Sequence, residues 1–170
     1  MTDVRGPGPE LELLRADHAA AVLTFERENR EWFARSISDR GDEYFERFAE
    51  RHAWLLADQE SGGGAYFLVV DHGSVLGRVN LILRDGGRAV LGYRVAERAA
   101  GRGVATAAVE EVCRLARSSY GVREVVAATS HENVASQRVL AKPGFEVTGP
   151  ADPADVGGKQ GSQWRLDLAD

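Results

Sequence analysis

The sequence predicts an α/β (α+β) fold, a mixed, mostly antiparallel central sheet of about seven strands with about four helices on its faces. Three observations carry this. Three consecutive β runs between Tyr66 and Val95 are joined by turns tight enough for an antiparallel meander. A long amphipathic helix follows Gly103, and a Val/Ala-rich run of buried-strand type follows that helix. Apart from a short N-terminal stretch, the remaining elements alternate in type without a repeat or a composition break, which indicates one domain.

In order, residues 1–10 are rich in Gly and Pro and lack an apolar core, so they are expected to form a flexible tail ahead of a single domain over 11–170. Leu11 to Arg15 is a short strand. Asp17 stands where an N-cap belongs, before a helix from His18 to about Asn29. Glu31 to Arg40 is read as irregular. From Asp42, the residues Phe45, Phe48, Ala49, His52, Leu55 and Leu56 recur at helical spacing, and Ser61 to Gly64 ends that helix. The meander comprises Tyr66 to Val70, Val75 to Leu83 and Arg88 to Val95, turned at Asp71-His72-Gly73-Ser74 and at Asp85-Gly86-Gly87. Val104, Ala108, Val109, Val112, Leu115 and Ala116 form one face of the next helix, which Gly121 closes. Val122 to Thr129 is a strand. Asn133 to Lys142 is a short helix stopped by Pro143-Gly144, and Phe145 to Thr148 and Gln163 to Leu168 are the last strands.

The chain has 170 residues and a formal net charge of −5, which argues against a nucleic-acid partner held by bulk electrostatics. The single cysteine, Cys113, permits no internal disulfide and agrees with a reducing, cytoplasmic setting. No apolar run approaches the roughly 20 residues of a membrane helix, so no membrane partner is expected.

Two motifs carry chemistry. In Arg98-Ala99-Ala100-Gly101-Arg102-Gly103, two glycines free the backbone at a strand-to-helix corner. The unpaired N–H groups of the following helix, with its dipole, favour an anion there, and Arg98 and Arg102 add charge. Read alone, a Gly-x-Gly corner also fits any strand-to-helix turn. It completes neither nucleotide fingerprint: Thr106 stands where a dinucleotide site has a third glycine, and no Gly-Lys-Ser/Thr follows. A nucleotide-dependent enzyme is therefore rejected. The second motif runs from Asn133 to Phe145. Asn133 can cap its helix, and the Ser136 hydroxyl falls in the first turn.

Together the two motifs resemble the GCN5-related N-acetyltransferase (GNAT) superfamily, whose pyrophosphate loop reads Gln/Arg-x-x-Gly-x-Gly/Ala. Asn133-x-x-Ser136 followed by Gly144-Phe145, with Glu28-Asn29-Arg30-Glu31-Trp32-Phe33, resembles its RimJ/RimL branch of ribosomal-protein N-terminal acetyltransferases. The resemblance covers about Leu11 to Leu168 and implies the acyl-CoA N-acyltransferase fold. It implies acetyl-CoA as cofactor and no metal. Tyr93 and Val95 would lie along the pantetheine arm, with Arg98, Gly101, Arg102, Gly103, Val104, Ala105 and Thr106 around the phosphates. Asn133 would hydrogen-bond the arm. Ser136 would sit by the thioester sulfur as general acid, in place of the tyrosine many members use. Glu31, Trp32 and Phe33 would face the acceptor. The sequence departs from the family pattern in having Val90-Leu91 where many relatives carry a Glu before the Gly-Tyr of this strand, so no carboxylate there can act as base.

The implied reaction is direct acetyl transfer, in a ternary complex, to a primary amine: a protein N-terminal α-amine or a small molecule. The base candidates are Glu28, Glu31, His131, Glu132, Asp152 and Asp155, of which Glu28 and His131 join Ser136 as expected catalytic residues. Two alternatives are a longer acyl donor such as succinyl-CoA and a non-catalytic acyl-CoA-binding sensor. The expected assembly is a monomer or a homodimer.

Overall fold

The computed structural model describes residues 9–169. Most of the expected tail lies outside that range, although Glu10 already begins the first strand. The strands are β1 (Glu10–Leu13), β2 (Gly64–Asp71), β3 (Ser74–Arg84), β4 (Arg88–Val95), β5 (Glu124–Ser130), β6 (Glu146–Pro150) and β7 (Gly161–Asp167). The helices are α1 (Ala19–Glu28), α2 (Arg30–Ala34), α3 (Asp42–Glu46), α4 (Phe48–Glu60), α5 (Val104–Tyr120) and α6 (Val134–Ala141). Among the described residues the strands form one seven-stranded sheet of order β1-β2-β3-β4-β5-β7-β6. Every neighbouring pair is antiparallel except β4 and β5.

Strand alternation sorts the sheet into two faces. In β2, Ala65, Phe67 and Val69 join the core under α5, with Leu76, Val79 and Leu81 of β3 and Val109, Val112 and Ala116 of α5. Tyr66 and Leu68 turn to the other face and pack with Val22, Phe25, Phe33, Tyr44 and Phe48 of α1–α4. The α5 stripe is buried as its spacing predicts. Its end is set by Gly121 at φ 63, a left-handed conformation that glycine adopts without strain, and Val122 N then bonds to the Ala116 carbonyl.

Among the described residues six helices form where the spacing predicted about four. The Glu31–Arg40 stretch contains α2, whose Phe33 is drawn into the core beside Phe25. The predicted helix from Asp42 breaks at Arg47 into α3 and α4, which shifts the buried stripe to Tyr44, Phe48 and His52 and leaves Ala49 exposed. Asp17 is not an N-cap. It lies in a 3-10 turn over Ala16–His18 and pairs with Arg15, and the turn's reciprocal capping contact is made by His18, whose Nδ1 accepts from Arg15 N. No helix among the described residues is long and apolar enough to cross a membrane.

One irregularity positions the site. β4 and β5 pair over only three positions, Arg88↔Glu124, Ala89↔Val125 and Val90↔Val126. β4 stays bonded to β3 as far as Val95, and β5 stays bonded to β7 as far as Ser130. From Leu91 and Ala127 onward the two strands diverge, and a cleft opens through the sheet.

Candidate active site

The Gly101–Gly103 corner lies between a 3-10 turn over Glu97–Ala99 and α5. Gly101 and Gly103 have φ of 72 and 76, the left-handed region, so the two glycines serve a backbone need. A Cβ on either would meet nothing within 4 Å, and the space in front of the corner is open. The first helical bond is Ala107 N to Gly103 O, and no side chain among the described residues caps the end. The N–H groups of Val104, Ala105 and Thr106 thus have no helical acceptor, and the dipole of a 17-residue helix adds to their pull on an anion. Arg98 and Arg102 are exposed at the corner.

Two cavities flank the diverging strands. One, of about 170 Å³, lies toward the corner, bordered by Trp32, Val95, Gly101, Ala105 and Val139. The other, of about 590 Å³, is bordered by β4 and β5, by Ser36–Ser38 and by the loop Ala154–Gly157. They share Ser36, Ile37, Tyr93, Asn133 and Ser136. Arg102, Gly103 and Val104 also border a separate cavity of about 300 Å³ against β1.

At the junction, Tyr93 Oη lies 2.6 Å from Ser136 Oγ and donates to the Ser136 carbonyl at 3.0 Å. With its proton on that carbonyl, the phenol oxygen accepts from the serine hydroxyl. Burial pushes the Tyr93 phenol up to about 12, the serine hydrogen bond pulling the other way, so it stays protonated through the neutral range. The position of Ser136 is set by Asn133, whose side chain accepts from Ser136 N at 3.1 Å as the N-cap of α6.

The expected acceptor segment divides. The Trp32 indole donates to the Val95 carbonyl at 3.1 Å, so that carbonyl is already engaged, and Trp32 borders the smaller cavity. Phe33 borders the same cavity; it is buried, and its ring lies 4.7 Å from the Arg94 guanidinium. Glu28 and Glu31 are exposed and border neither cavity. His131 is also exposed outside both; its Nε2 lies 3.2 Å from Ser162 Oγ. Cys113 is buried, which pushes its thiol up to about 12 and removes it as a nucleophile.

Three features were not foreseen. The Tyr93–Ser136 hydroxyl pair joins residues 43 apart in the chain. Ser130 Oγ is buried at the edge of the larger cavity with no hydrogen-bond partner among the described residues. Behind β4, Glu26 is fully buried and binds three guanidiniums: Arg78 at 2.8 Å, Arg94 at 3.0 Å and Arg40 at 3.1 Å. Burial alone would raise the Glu26 carboxyl, but Arg94, Arg40 and Arg78 outweigh it and hold it below its ordinary value. Burial takes Arg94 down to about 10, against the pull of Glu26. A signal for Glu26 did exist: Val22, Phe25, Glu26 and Asn29 share one helical stripe, and a carboxylate on an apolar stripe requires buried partners. Asn29 ties the same stripe to the corner by accepting from Glu97 N at 3.0 Å.

Residues 10–146 match the family model described as the acetyltransferase (GNAT) domain. No curated protein matches. Among solved structures, ribosomal-protein-S5-alanine acetyltransferase from Vibrio fischeri superposes with a TM-score of 0.88 at 22% identity, covering 98% of this chain and 96% of that one. Mycobacterium smegmatis RimJ, solved with a CoA-disulfide, gives 0.80 at 21% identity over 94% and 86%. RimL, the ribosomal L7/L12 α-N-protein acetyltransferase, solved with coenzyme A, gives 0.83 at 18% identity over 97% and 97%. At these identities the structural likeness is one of fold; the family follows from the sequence match over 10–146, and the chain belongs to the GNAT acetyltransferase family.

Proposed function

We propose that this protein transfers an acetyl group from acetyl-CoA to a primary amine, a protein N-terminal α-amine or a small molecule, by direct attack in a ternary complex. The observation that carries the reading is the junction of the two cavities at Tyr93 and Ser136, with the uncapped N-terminus of α5 beyond the smaller one. The residues present fit the donor. The Val104–Thr106 N–H groups suit a pyrophosphate. The β4 edge from Leu91 can bond an extended amide-bearing arm as an added strand would. When bound, the donor supplies an activated acyl carbon and a thiolate leaving group. Asn133 orients Ser136, and the Ser136–Tyr93 hydroxyls hold a proton for the departing sulfur. A free thiol has a pKa of about 8.5, so it leaves with little help and this proton contributes moderately. The branch of the solved relatives favours an α-amine, which at pKa about 7.7–8.0 is partly neutral near pH 7.

The test is thiol release from acetyl-CoA across a panel of peptide α-amines and small amines, with succinyl-CoA as competing donor. Turnover with acetyl-CoA on at least one amine is expected. Faster turnover with succinyl-CoA overturns the donor. Tight acetyl-CoA binding without turnover on any amine makes the protein an acyl-CoA sensor.

A further inference from the structure

The stretch from Glu97 to Gly103, which carries Arg98 and the glycine corner, has few ties to the rest of the molecule. Ala99 N bonds the Ala96 carbonyl at 3.0 Å and Ala100 N bonds the Glu97 carbonyl at 3.1 Å, both within the turn itself. Helix α5, which follows, is fixed by its own buried stripe. Among the described residues a single hydrogen bond leaves the stretch for a distant element: Glu97 N donates to Asn29 Oδ1, 68 residues earlier, at 3.0 Å.

Asn29 is buried where α1 passes into α2, and every polar group it has is used. Its N–H donates to the Phe25 carbonyl at 3.2 Å, and its own carbonyl accepts from Phe33 N at 2.9 Å. Its side-chain N–H donates to the Phe25 carbonyl at 2.9 Å, which fixes the amide plane and leaves Oδ1 for Glu97. One helical turn on, the Trp32 indole donates to the Val95 carbonyl at 3.1 Å. Asn29 and Trp32 therefore grip the two peptide groups on either side of Ala96. That residue is fully buried, and its N–H donates to the Leu76 carbonyl at 2.8 Å. All four polar groups of the two peptides are satisfied, so the direction in which the chain leaves β4 is set from the α1–α2 junction.

We infer that Asn29 is a positioning residue for the phosphates of the donor: through Glu97 N it holds the turn that brings Arg98 and the Gly101–Gly103 corner to the N-terminus of α5. A residue of the segment expected to serve the acceptor thus sets affinity for the nucleotide end of the donor. The inference rests on the reading above in which that corner takes the pyrophosphate. Asn29 touches no reacting atom; its effect passes through the turn, so it falls on the phosphate-bearing part of the donor and spares the pantetheine arm.

The experiment measures, by calorimetry on the full chain, dissociation constants for acetyl-CoA and for S-acetylpantetheine, which lacks the phosphates and the nucleoside. The proteins are wild type, Asn29→Ala, Glu97→Pro and the double variant, with melting curves to show that each is folded. Glu97→Pro removes the same hydrogen bond from its other end. Ala96, at φ −56 and ψ 148, already has the extended conformation favoured before proline, and proline is accepted at the first position of a helical turn. Asn29→Ala is expected to weaken acetyl-CoA about tenfold, the worth of one hydrogen bond to a charged group, and S-acetylpantetheine by no more than about twofold. Glu97→Pro should show the same selective loss, and the double variant should be no worse than either single one, since both remove one bond. Equal weakening of the two donors makes Asn29 merely structural and overturns the inference. So does unchanged acetyl-CoA affinity in the single variants, or losses that add in the double one. If wild type binds acetyl-CoA no tighter than S-acetylpantetheine, the phosphate reading of the corner falls and the inference with it.

Discussion

Under α5 and α6, the sheet presents Phe67, Leu76, Val79, Leu81 and Leu91 to an apolar layer closed by Val109, Val112 and Leu140. Under α1–α4, Leu68 and Phe25 share their layer with a fully buried carboxylate and three guanidiniums. Strand β4 belongs to both: Leu91 and Tyr93 pack with the first layer, and Arg94 bonds Glu26 in the second. The apolar face holds the Tyr93–Ser136 hydroxyl pair. The ionic face ties α1, β3 and β4 together from behind. An apolar layer weakens in proportion to the volume removed. An ion cluster fails when one member goes, because the others stay buried without compensation.

The largest expected effect is therefore at Glu26. Glu26→Gln leaves three arginines facing a neutral amide and should cost about 3–5 kcal/mol in urea unfolding. The carboxyl is held below its ordinary 4.5 in the folded state, so its contribution is full above that value and lost as pH falls through the depressed one. The gap between wild type and Glu26→Gln should then narrow on acidification below 4.5. A gap that ignores pH would break the contrast between the faces. Next comes Leu81→Ala on the apolar face, with a loss of about 3 kcal/mol that stays flat over the same pH range. Third, Ser136→Ala should lower kcat ten- to a hundred-fold, at or below the lower end of general-acid effects of about 10²–10⁴, with acetyl-CoA affinity retained. Tyr93→Phe should lower kcat by less, since Ser136 keeps its own proton. An unchanged kcat in Ser136→Ala removes the pair from the chemistry. The smallest effect is Asn133→Ala, about 1 kcal/mol of stability from the lost cap of α6, read as a lower melting temperature.

How much of this was legible in the sequence follows the range of the signals. Tyr66–Val95, α5 and the Asn133 cap were legible because alternation, helical spacing and capping are local. The break at Arg47 was not: Phe45, Phe48 and His52 keep helical spacing across it, and only packing decides that Tyr44 turns inward. The glycine corner before α5 was legible from two glycines that proved to adopt positive φ. The ion cluster behind β4 was not, since the partners of Glu26 lie 14, 52 and 68 residues away and no periodicity links them. The base candidates show the same limit. Six acidic or histidine residues were candidates in sequence, Glu28 and His131 foremost, and among them Asp155 alone borders either cavity.

The early parting of β4 and β5 has a thermodynamic consequence. A continuous sheet satisfies its strand edges from within, whereas this one keeps two facing edges in its middle, open from Leu91 and from Ala127. An extended ligand seated there completes the sheet and binds only the folded chain. The melting temperature should accordingly report occupancy: at a hundred times its dissociation constant, such a ligand adds about 2.7 kcal/mol to folding. The chain's resistance to heat would then track the supply of its acyl donor.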